Sequence, residues 1–120
     1  IDCVGFMVDG ATGHMEDDKE RMVKTPWFDY DIPFSKAAEI GTEKVISEHS
    51  TIGIVITTDG SFTDIQAENY MKATDMAIKE LEKINKPFVI VVNSMEPESE
   101  KCKSVVKKLG QLSFRLIVFS

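Results

Sequence analysis

The sequence predicts an α/β domain, a three-layer α/β/α sandwich around a mainly parallel sheet. Three observations carry that expectation. Ile52-Gly53-Ile54-Val55-Ile56-Thr57-Thr58, Phe88-Val89-Ile90-Val91-Val92 and the stretch 114–119 are near-continuous runs of β-branched and aromatic residues. Such runs are the pattern of strands buried on both faces. The segments between them place apolar residues at helical spacing, with Lys and Glu opposite. Strand, helix, strand, helix, strand, helix, strand is then a right-handed βαβ series.

In chain order, Ile1-Asp2-Cys3-Val4-Gly5 reads as the end of a strand passing into a loop. The chain is therefore expected to be a piece of a longer protein. Residues 6–33 show no clear periodicity and carry Gly10, Gly13, Pro26, Pro33 and the acidic run Glu16-Asp17-Asp18. A long loop inside a compact domain is usually functional or mobile. The aromatic cluster Trp27-Phe28-Asp29-Tyr30 is expected to pin its far end, and His14 reads as a plain surface histidine. Pro33 to Ser50 predicts a helix with Ser35 as N-cap. A second helix spans about Ala67 to Ile84 and stops at Asn85-Lys86-Pro87. Ser99 opens a third, in which Cys102, Val105, Val106 and Leu109 form the apolar stripe and Gly110 stands at the C-terminal cap.

Composition excludes several classes of function. The chain has 120 residues, 42% hydrophobic and 28% charged, as expected of one globular domain. A net charge of −6 argues against a nucleic-acid backbone or an anionic membrane as the main partner. No run approaches the roughly 18 apolar residues that span a bilayer. Cys3 and Cys102 lack metal-ligand spacing, and a reducing, cytoplasmic compartment fits them. No nucleophile–base pair and no G-x-x-x-x-G-K-[ST] phosphate loop occur.

In open parallel sheets, ligands sit outside the carboxyl ends of the strands. The residues there are Asp2 to Gly5, Thr57 to Ser61 and Asn93 to Glu96. A D-x-x-G sequence at a strand end offers a carboxylate to a phosphate-held Mg²⁺ and a glycine N–H to a phosphate oxygen. Such sequences also occur as simple turns. Asn93, ending a buried strand, suits tying neighbouring loops or hydrogen-bonding a base edge. Asp59-Gly60-Ser61 reads as a turn by composition.

The spacing of D-x-x-G and the Asn-led tetrapeptide looks like the distal part of a P-loop GTPase-type domain. The wording goes further. Asp2-Cys3-Val4-Gly5-Phe6, Lys24-Thr25-Pro26-Trp27-Phe28, Ile32-Pro33-Phe34, Ala37-Ala38-Glu39-Ile40-Gly41-Thr42 and the run from His49 to Gly60 closely resemble the stage IV sporulation protein A family over nearly the whole chain. These are spore-coat morphogenetic ATPases of endospore-forming bacteria. The resemblance implies a truncated P-loop NTPase domain lacking its first strands and its P-loop, with ATP and Mg²⁺ as ligands. It also implies self-polymerisation into the basement layer of the spore coat, on the mother-cell side of the forespore surface. A small amphipathic membrane-associated sporulation protein would recruit the polymer, and other coat morphogenetic proteins would dock on it.

Carried over by position, Asp2 matches the Walker B aspartate and would hold Mg²⁺ through water. Gly5 would lie near the γ-phosphate through its N–H. Asn93-Ser94-Met95-Glu96 falls where related GTPases carry Asn-Lys-x-Asp. Ser94 cannot cover a base as the lysine stem does, and Glu96 places its carboxylate one methylene farther out. Both departures weaken guanine selection and are consistent with ATP use. Without a Walker A segment, the chain alone is expected neither to bind nor to hydrolyse ATP. The alternative is a nucleotide-independent scaffold, with the acidic stretch 6–33 as a docking site. A phospho-receiver domain fits poorly, since Asp2 has no neighbouring acid and the strand from Phe88 ends in Asn93-Ser94 rather than in a lysine.

Overall fold

The computed structural model describes residues 1–111 and the backbone of residues 115–119. Four short strands come first, β1 (Met15–Glu16), β2 (Lys19–Glu20), β3 (Met22–Val23) and β4 (Ile32–Pro33). The helix α1 (Phe34–Glu48), the strand β5 (Gly53–Thr58), α2 (Ala67–Lys83), β6 (Phe88–Asn93), α3 (Glu100–Gly110) and β7 (Arg115–Phe119) follow. The last strand agrees with the predicted one except at Phe114, which lies outside the described residues.

The main sheet is three-stranded and parallel, in the order β5-β6-β7. Register pairs Val55 with Ile90, Thr57 with Val92, and Thr58 with Asn93. One core holds the sheet to its helices. Val55, Ile90 and Val92 meet Ile78 and Leu81 of α2 and Cys102, Val105 and Leu109 of α3. Both helices therefore cover the same face, as two successive right-handed crossovers in one direction require.

The expected three layers are reduced to two among the described residues. Along β5 the burial alternates, with Val55 and Thr57 buried while Ile54 and Ile56 are 65% and 70% exposed. Helix α1 packs beside α2 instead of on the second face, and its Ile46 reaches only the margin of the core. β-Branched residues on both sides of a strand satisfy its conformational preference whether or not both sides are covered.

Other expectations shift locally. Ile1 to Gly5 is not the end of a strand. No described strand pairs with it, so its backbone has no ladder to join, and Ile1 is 90% exposed. The stretch 6–33 is not structureless. β1 and β2 form a hairpin around Asp17 and Asp18, both at positive φ, which matches a two-residue turn with left-handed central residues. β3 pairs antiparallel with β4. Trp27 does pin this region, lying against Gly41 of α1 with the Lys44 ammonium over its ring.

Helix ends were partly legible. Ser99 caps α3, its Oγ accepting the Cys102 N–H at 3.1 Å. Asn85, at φ 57°, ends α2 in a Schellman arrangement, with Lys86 N–H donating to Leu81 O and Asn85 N–H to Glu82 O. Ser35, by contrast, is not the N-cap of α1. Pro33 holds that position with no side-chain cap, and the Glu20 carboxylate accepts from both the N–H and the hydroxyl of Ser35. Those bonds hold the Glu20 carboxyl below its ordinary pKa. Gly110 lies inside α3 rather than beyond it, and Gln111 is the C-cap.

Candidate functional site

Because Thr58 pairs with Asn93, the segments leaving β5 and β6 emerge side by side. Asp59 and Ser94 open these segments, and both are completely buried. Ser94 Oγ donates to Asp59 Oδ2 at 2.6 Å, and the Ser61 N–H donates to Asp59 Oδ1 at 2.9 Å. In return, the Met95 N–H donates to Ser61 Oγ at 2.9 Å, and the Glu96 N–H to Ser94 Oγ at 3.1 Å. Gly60 sits at φ 82°, where a Cβ would fall 2.9 Å from Ile65 O, so the turn admits only glycine without rearrangement.

Burial pushes the Asp59 carboxyl up in pKa. Hydrogen bonds from Ser61 and Ser94, with the Lys101 charge, more than offset that, and the group stays below its ordinary value. It is a buried, ionised, fully engaged carboxylate.

Alongside β5 runs an open trough of about 620 Å³. Asp2, Gly5, Thr42, Thr58 and Asn93 all line it. The structure thus brings three of the predicted site residues, Asp2, Gly5 and Asn93, to one surface. Ser94 does not reach it, being turned inward on Asp59, and Glu96 is exposed outside the lining. Gly5, at φ 84°, donates its N–H to Thr42 Oγ1 at 3.0 Å. That amide would have to exchange Thr42 for a phosphate oxygen in order to hold a phosphate.

Asp2 is exposed at the trough. Among the described residues, no group of three or more His, Cys, Asp or Glu is placed to hold a metal ion. A single accessible carboxylate fits a hard cation that keeps most of its ligands as water and phosphate oxygens, which is the habit of Mg²⁺ and not of zinc. His14 is half-buried near Glu20 and belongs to no such group.

Sequence reasoning missed the roles of Asp59 and Thr42. Asp-Gly-Ser after a β-branched run is sufficient for a turn, and nothing in that composition tells which way the aspartate points. Thr42 stands on the helix α1 at a position that looks like any small residue.

Comparison with known proteins defines the relationship. A family model described as stage IV sporulation protein A, ATPase domain, matches residues 1–119. Stage IV sporulation protein A of Bacillus subtilis (strain 168) is 47% identical over 111 residues. The proteins of that name from Clostridioides difficile (strain 630) and Bacillus anthracis are 49% and 48% identical over the same length. Each match covers 92% of this chain and 23% of the relative, so the chain spans about a quarter of the proteins it matches. No solved structure matches the chain significantly. At this identity, over nearly every residue, the chain belongs to the stage IV sporulation protein A family and falls in its ATPase domain.

Proposed function

We propose that this chain is part of an ATP-hydrolysing, self-polymerising protein that builds the basement layer of the bacterial spore coat, within a P-loop NTPase domain of the GTPase-like class. The observation that carries the reading is the convergence of Asp2, Gly5 and Asn93 on one trough, in a chain matched to an ATPase domain. The reaction is phosphoryl transfer to water, in which positioning and charge neutralisation do most of the catalysis.

Mg²⁺, when bound with the nucleotide, supplies the neutralising charge. Asp2 would hold the hydrated ion through water, and the Gly5 N–H, now on Thr42 Oγ1, would be the donor available to the terminal phosphate. Asn93, on the trough, would address the base, Glu96 would have to turn in from outside the lining to join it, and Ser94 would shape the segment between them from below. The phosphate-cradling loop and its lysine belong to the rest of the domain. The polymer works in the cytoplasm of the mother cell at the forespore surface. It is recruited there by a small amphipathic membrane-associated protein and in turn carries other coat proteins. Among the described residues no helix is long and apolar enough to cross a membrane.

The test is Asp2→Ala in the intact protein. Turnover of ATP should fall on the order of 10²-fold or more, with the far-ultraviolet circular dichroism spectrum retained. Turnover at the unsubstituted rate would remove Asp2 from the site.

A further inference from the structure

We propose that Asp59 is a positioning residue for nucleobase selection, acting through Ser94 and Ser61 on the segment Asn93-Ser94-Met95-Glu96. The inference rests on the nucleotide-binding reading above and assigns a role to a residue that does not line the trough.

A carboxylate with no solvent exposure is costly unless its hydrogen bonds are complete. Here both Asp59 oxygens are engaged, and both partners belong to the two segments leaving the sheet. The network continues outward without a gap. Ser94 Oγ donates to the carboxylate and accepts from Glu96 N–H, while Ser61 donates its N–H to the carboxylate and accepts from Met95 N–H through its hydroxyl. Two successive amides of the segment are thus tied to one buried anion through one intervening serine each, Ser94 by its hydroxyl alone and Ser61 by its hydroxyl and its N–H. Where a lysine at the position of Ser94 would extend over a base, the serine is drawn inward instead. Met95 is 61% exposed at the next position, and Asn93 stays on the trough. The anion fixes the backbone from which Asn93 and Glu96 would address a base, and a loosened backbone would misplace both groups. Charge-assisted bonds to a buried carboxylate are the stronger kind, so this anchor is stiffer than a turn of neutral bonds.

The experiment uses the intact protein. Steady-state kcat and KM are measured with ATP and with GTP for the unsubstituted protein, Asp59→Asn, Ser94→Ala and Val105→Ala. Val105 lies in the core on α3, its side chain carries no hydrogen-bonding group to join the Asp59 network, and its truncation reports general destabilisation. Asp59→Asn and Ser94→Ala should each change the ATP-to-GTP ratio of kcat/KM at least tenfold, through KM, while Val105→Ala leaves that ratio unchanged. Should Asp59→Asn fail to fold, the smaller change Ser94→Ala decides. A ratio unmoved by the folded variants, or moved equally by Val105→Ala, would overturn the inference while leaving the ATPase reading intact. An unsubstituted protein that turns over neither nucleotide overturns both.

Discussion

Asp59 shows how a residue can look like a turn and behave as a keystone. Its folded pKa is depressed, so by linkage it contributes stability above the pKa of an unfolded aspartate, about 3.9, and loses it as pH falls through the folded value. Urea midpoints measured from pH 7 to pH 3 should therefore drop more steeply below about pH 4 for the unsubstituted chain than for Asp59→Asn. Parallel curves would mean that the carboxylate is not ionised in its buried setting. At this scale the sequence was readable where the neighbours impose one answer. Cys102 on an apolar stripe had to be buried, and it is. It was unreadable where the answer depends on contacts distant along the chain, as between Asp59 and Ser94 or between Gly5 and Thr42, 35 and 37 positions apart.

Elements divide by length. Helices α2 and α3 run for 17 and 11 residues, enough turns for a period to declare itself, and both were legible nearly to their ends. The pairs β1–β2 and β3–β4 use two residues per strand, too few to show alternation. Their identity lies in turn conformation and pairing, which composition reports poorly. The cap of α3 is the element-scale feature most open to measurement. Ser99→Ala should destabilise the chain by about 1 kcal/mol, and Ser99→Gly by only a few tenths, in urea titrations. No measurable cost for Ser99→Ala would mean that the hydroxyl adds nothing to the helix start.

For the whole molecule, the fold class was legible and the layering was not. A strand rich in isoleucine and valine reads the same whether one face or two are covered, and here two helices share one side. Truncations should expose this asymmetry. Ile90→Ala, in the core at 0% exposure, should cost about 2–5 kcal/mol, whereas Ile56→Ala, at 70% exposure, should stay near 0.5 kcal/mol or less. Comparable losses at the two positions would require a covered second face. The shape agrees with two layers. The extents are 47 × 35 × 19 Å, and the radius of gyration is 15.3 Å, against about 13.6 Å for a compact domain of this length. The uncovered isoleucines also bear on calorimetry. The heat capacity increment of unfolding measures apolar surface newly wetted, and Ile54 and Ile56 are already wet in the native chain. A compact chain of 120 residues would give an increment of about 1.4–1.8 kcal/mol/K. This one should fall below that range, and an increment inside the range would mean that the outward face is dry in solution.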